Sequence, residues 1–127
     1  MDEKKLVMKS PYDFYKLSDD QAKLLVGKNL AISESRTYIP VHLLHKNSNY
    51  GKQYGLLIIT SNKDWLKVGA FSPDDLDIDL VWRGKEKLLG NKRKKITRYI
   101  QSMNLYSRSY TDILLEIQAK FGGELYN

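Results

Sequence analysis

The sequence contains no cysteine. That excludes a disulfide framework and any thiolate metal cluster, and it fits a reducing compartment. Long apolar runs are missing too: the longest is Leu56-Leu57-Ile58-Ile59, far short of the roughly 20 residues of a membrane-spanning helix. The opening Met1-Asp2-Glu3-Lys4-Lys5 lacks the apolar stretch of a secretory signal. These absences lead us to expect a cytoplasmic protein without a membrane partner. Only two histidines are present, His42 and His45. In an extended segment their spacing puts them on opposite faces, so they are not expected to chelate one metal.

The 127 residues are 42% hydrophobic and 28% charged, a composition that supports a packed core rather than disorder. The length suits one domain over 1–127 and is too short for two domains or a large cofactor-binding enzyme; no cofactor is expected. Residues 1–17 read as a loosely ordered arm, because Pro11 interrupts any regular element there.

Motifs for chemistry are incomplete. Gly84 and Gly90 enclose five residues and are followed by Asn91-Lys92-Arg93, whereas a phosphate-cradling loop needs four residues and then Gly-Lys-Ser/Thr. Asp74, Asp75, Asp77 and Asp79 cluster in the manner of magnesium-binding carboxylates. However, no Glu-x-Lys or Asp-x-Lys pair follows to complete a nuclease site, and Leu80 stands where a calcium loop needs glycine. With no complete catalytic constellation, the expectation is a protein that is not an enzyme. A small nuclease, with His42 or His45 in acid–base work, is the third function class.

Charge is the informative feature. Between 83 and 98 lie Arg83, Lys85, Lys87, Lys92, Arg93, Lys94, Lys95 and Arg98 against Glu86 alone. This segment is net +7 in a chain of net +6, so the remainder is almost neutral. Concentrated cations attract polyanions, and counterion release makes nucleic acid, DNA or RNA, the usual partner. These eight residues are the candidate nucleic-acid-binding set, with Arg83, Lys87, Lys94 and Arg98 expected on phosphates. The alternative is a protein-binding regulator or inhibitor of the kind carried by phages and mobile elements, using the same surface on an acidic partner. Richness in Lys, Tyr, Asn and Ile is associated with a low-GC bacterial or phage source.

Periodicity predicts an α+β fold: an antiparallel sheet of four to five strands over 29–82, a short N-terminal helix and a C-terminal pair of amphipathic helices. Ser18 and Gln21 form a capping box before Ala22, Leu24 and Leu25, and Gly27 stops that helix. Segments 29–33 and 38–45 read as extended, and Pro40 assigns the second to a sheet edge. The continuous apolar run Tyr54–Thr60 predicts a strand covered on both faces, and Trp65–Phe71 one with Leu66, Val68 and Ala70 inward. Over 76–82, alternation favours a strand, although Ser72-Pro73-Asp74-Asp75 also reads as a helix start.

Near the C-terminus, Leu89, Ile96, Tyr99, Ile100 and Met103 share one helical face, with Lys87, Asn91, Lys94 and Arg98 opposite. A second helix spans 109–121, capped by Ser109 and Asp112, with Glu116 pairing Lys120 and Gly122-Gly123 ending it. The run Tyr106-Ser107-Arg108-Ser109 before it resembles the second-helix entry of ribbon–helix–helix proteins, over about a dozen residues.

Overall fold

The computed structural model describes residues 8–30, 32, 35–45, 53–62, 64–71, 80–85 and 92–126. A 3-10 helix, Pro11–Lys16, leads into α1 (Asp19–Leu25). Four strands follow, β1 (Arg36–His42), β2 (Tyr54–Ser61), β3 (Trp65–Phe71) and β4 (Val81–Lys85). Helices α2 (Lys92–Gln101) and α3 (Tyr110–Phe121) precede a last strand, β5 (Glu124–Tyr126). The strands form one antiparallel sheet in the order β1-β2-β3-β4-β5. The fold is α+β, as the periodicity predicts.

Strand alternation divides the core in two. Ile39, Val41, Leu57, Ile59, Leu66, Val68 and Trp82 point to one face and pack against Ile96, Ile100, Ile113, Leu114 and Ile117 of α2 and α3. Tyr38, Tyr54 and Leu56 point to the other and meet Phe14, Tyr15 and Ala22. Strand β2 is therefore covered on both faces, which is why its apolar run is unbroken. The arm expected over 1–17 meets this second core: Phe14 and Tyr15 are buried there, while residues 1–7 lie outside the described residues.

Local chemistry sets the boundaries. Ser18 Oγ accepts from Gln21 N at 3.2 Å while Ser18 N donates to Gln21 Oε1 at 3.0 Å, closing the capping box. Gly27, at φ +84°, turns the chain after α1. Ser109 Oγ accepts from Asp112 N at 3.1 Å to start α3. Beyond α3, Trp82 Nε1 donates to Gly122 O at 2.7 Å. A side chain on Gly123 would strike the Arg83 carbonyl and the Trp82 indole, so the turn into β5 requires glycine.

The edge formed by β1 is closed. Tyr38 and Pro40 carbonyls accept from Leu30 N and Gly27 N, while His42 N donates to Leu105 O and His42 O accepts from Arg108 N. Pro40 sits where its missing N–H would point away from β2, so the ladder loses nothing.

Three expectations change. The sheet extends past 29–82, because β4 runs to Lys85 and β5 lies after α3. Of the segment 29–33, the described residues contribute an isolated bridge, Leu30 to Tyr38, rather than a strand. Glu116 takes Arg108 Nη2 instead of Lys120, since the chain reversal before α3 brings the guanidinium alongside. The strand expected over 76–82 overlaps β4 at Val81 and Trp82, and 72–79 lie outside the described residues. The 106–109 run enters α3 through its pairing with β1, and both helices are spent on covering the sheet.

Candidate functional site

Helix α2 lays Ile96 and Ile100, both fully buried, on the sheet. That burial, worth about 1.5–3 kcal/mol for each side chain, fixes the helix rotation. It leaves Lys94, Lys95 and Arg98 exposed and Arg93 half-buried. The first turn carries Lys92, Arg93 and Lys94 and no acidic residue. Helix dipoles favour the opposite sign there, by about 0.3–1 kcal/mol per charge. The cations are placed against local stability.

One flank of α2 forms a wall of a cleft of about 250 Å³. Arg93, Thr97 and Gln101 line it on successive turns, with Lys94 and Arg98 beside them. The opposite side is supplied by Asn29, from the segment after α1, and by Thr37 of β1. Gln101 Nε2 donates to Gly27 O at 2.9 Å and ties the two walls together. Thr97 Oγ1 donates to Arg93 O at 2.6 Å. Among the described residues the lining combines three cations with amides and hydroxyls and includes no carboxylate. Such a surface can neutralise and hydrogen-bond an anion from several sides.

The eight sequence-predicted residues do not form one patch. Arg93, Lys94 and Arg98 converge on the cleft, and Lys95 is exposed on α2 outside its lining. Lys92 opens α2. Arg83 belongs to β4 on the sheet face away from α2, opposite Lys67 of β3, and Lys85 ends that strand. Lys87 lies outside the described residues, as do the aspartates at 74, 75, 77 and 79.

His42 is engaged structurally: its Nδ1 accepts from Ser107 N at 3.0 Å, and its ring packs 5.1 Å from Tyr54 and 5.7 Å from Tyr106. His45 is exposed. Among the described residues no group of three or more His, Cys, Asp or Glu could hold a metal ion.

Sequence reasoning missed Asn29, Thr37, Thr97 and Gln101. The spacing of Thr97 and Gln101 from Arg93, one and two turns on, could have found those two. Asn29 and Thr37 reach the cleft only through tertiary topology. No family model, curated protein or solved structure matches the chain.

Proposed function

We propose that the protein is a non-enzymatic nucleic-acid-binding protein whose α2 flank holds the phosphate backbone. The observation that carries this reading is the cleft lined by Arg93, Lys94 and Arg98 with neutral donors and, among the described residues, no carboxylate. The run of cations in the first turn of α2, with no acidic residue in that turn, supports it, since local rules are broken most readily where function requires it. Arginine forks at 93 and 98 suit two phosphate oxygens each, while Lys94 acts as a point charge. Asn29, Thr37 and Gln101 add hydrogen-bonding groups for phosphate or sugar oxygens, which position the partner rather than read its bases.

The test is affinity for a DNA duplex as a function of salt. Three phosphate contacts give a slope of log affinity against log salt near −3, at about −0.9 per contact. Lys94→Gln with Arg98→Gln alters exposed positions, so folding is retained while the slope flattens by about 2. Undetectable binding at about 50 mM salt, where the electrostatic contribution is large, overturns the reading. Loss of an acidic protein partner in the same variant, with duplex affinity unchanged, points instead to the regulator class.

A further inference from the structure

On the sheet face away from α2 and α3, strand register places Arg36, Thr60, Lys67, Arg83 and Glu124 directly opposite one another from β1 to β5. They share this face because Ile59, Val68 and Trp82, one residue removed, point into the helix-side core. The N-terminal segment covers the neighbouring end of the same face, over Tyr38, Leu56 and Phe71. Its cover stops before the row: Arg36 and Arg83 are exposed, and Thr60 and Lys67 are half-buried. Beside the row stands half-buried Trp65, with Lys67 Nζ 4.5 Å and Arg83 Cζ 6.0 Å from the ring centroid.

The arrangement works against the fold. Like charges directly opposed across a ladder are destabilising, and Lys67 faces Arg83 in register. Among the described residues no carboxylate lies within ion-pair distance of Arg36, Lys67 or Arg83, although Glu124 is opposite Arg83 on β5. Cation–π attraction to Trp65 offsets part of this for Lys67. Arg83 sits at the outer limit of that interaction, and it does nothing to explain Arg36. Three cations with an aromatic ring beside two of them are complementary to a chain of phosphates carrying an unpaired base.

We infer that this row is a second contact surface and that it takes a short stretch of single-stranded nucleic acid, one base stacked on Trp65 and phosphates on Lys67, Arg83 and Arg36. Stacking requires an unpaired base, which selects single strands over a duplex. At the usual strand spacing the row from Arg36 to Arg83 is about 14 Å long, the reach of a few nucleotides. The inference stands on its own observations, on the opposite side of the sheet from the α2 cleft, so the two can fail separately.

The two tryptophans make the experiment direct. Trp82 is fully buried in the core, so quenching by an added oligonucleotide reports on Trp65. The probes are oligothymidylate and oligouridylate of about twelve nucleotides, within the usual site size, and a blunt DNA duplex of equal length. The single strands quench the protein fluorescence. Trp65→Leu removes the quench and weakens single-strand binding roughly 5- to 150-fold, as expected for one stacked base.

Lys67→Gln together with Arg83→Gln keeps the tryptophan, weakens single-strand binding and flattens its salt slope by about 0.7 for each phosphate no longer neutralised. Lys94→Gln with Arg98→Gln leaves the quench intact. The inference is overturned if neither single strand quenches or binds at about 50 mM salt. It is equally overturned if the folded Lys67→Gln, Arg83→Gln protein binds as the parent does, or if only the α2 substitutions abolish single-strand binding. Should Trp65→Leu fail to fold, the glutamine pair decides alone.

Discussion

The Tyr110 hydroxyl, carried by the first residue of α3, occupies the space where a β-carbon on Gly55 of β2 would stand. The contact docks the start of α3 onto the sheet, and among the described residues it leaves that hydroxyl buried without a hydrogen-bond partner. A buried, unpaired hydroxyl costs about 1–3 kcal/mol. Tyr110→Phe is therefore expected to raise stability by about 1 kcal/mol, measured by chemical denaturation. Gly55→Ala destabilises, and Tyr110→Phe recovers part of that loss. Additive effects in the double variant would show that the two sites do not touch.

The same burial predicts behaviour in alkali. Desolvation holds the Tyr110 phenol well above the ordinary tyrosine range, and nearby Tyr15 adds to the rise. Tyr54 is raised by burial and then by Asp19, Tyr106 and Asp20. Both pKa values are higher in the folded state than in the unfolded chain. Their contribution to stability is complete below about pH 10 and is lost as pH rises through the folded values. Ultraviolet titration should show a late tyrosine step coincident with unfolding, and Tyr110→Phe should move unfolding to higher pH.

At the acid end a sensitive group is Asp13. Its carboxylate accepts from Lys9 N at 2.8 Å, the largest influence, and from Ser10 N at 3.3 Å, with Lys16 Nζ 3.6 Å away. Together these outweigh its desolvation and hold its pKa below the ordinary aspartate value. The resulting stabilisation is present above about pH 4 and is lost as pH falls through the lower, folded value. Asp13→Asn should lessen the acid sensitivity of the 3-10 helix, read from protection of the Asp13 and Leu17 amides, whose N–H groups donate to Ser10 O and Phe14 O.

Stability and binding should move in opposite directions at Lys94. Placing a carboxylate in the first turn of α2 suits the helix dipole, so Lys94→Glu is expected to stabilise by about 0.3–1 kcal/mol. The same change introduces a negative charge into the cleft and should weaken duplex binding more than Lys94→Gln does. Thermal melting and duplex affinity, measured on both variants, give the comparison. A destabilised Lys94→Glu protein would place the cation in a structural role.

Much of the fold was legible because it rests on local rules. The Ser18–Gln21 box, the Ser109 cap and the Pro40 edge position each follow from one residue's hydrogen-bonding chemistry. The unbroken apolar run of β2 announces cover on both sides. Strand β5 was not legible: Glu124–Tyr126 is too short to show alternation and depends on Trp82 and Gly123 to position it.

Sequence proximity groups Arg83 with the basic residues that follow it, whereas register decides its companions: Lys67 on β3 and Glu124 on β5. Of the candidate cleft, the α2 stripe was visible in helical spacing. Asn29 and Thr37 were hidden, because their proximity to it exists only after β1 has paired.

The closure of the β1 edge draws distant parts of the chain into one folding event. Two amides hydrogen-bonded at this edge, His42 N and Leu44 N, donate to Leu105 O and Arg108 O, while Gly27 N and Leu30 N donate back to β1. Hydrogen exchange at His42 and Leu44 therefore depends on the connection between α2 and α3, some sixty residues downstream. Any opening that lifts α2 from the sheet must also release Gln101 from Gly27 and loosen that strap. Exchange at these amides and at Gly27 should rise together, making β1 a reporter of whether the cleft is assembled.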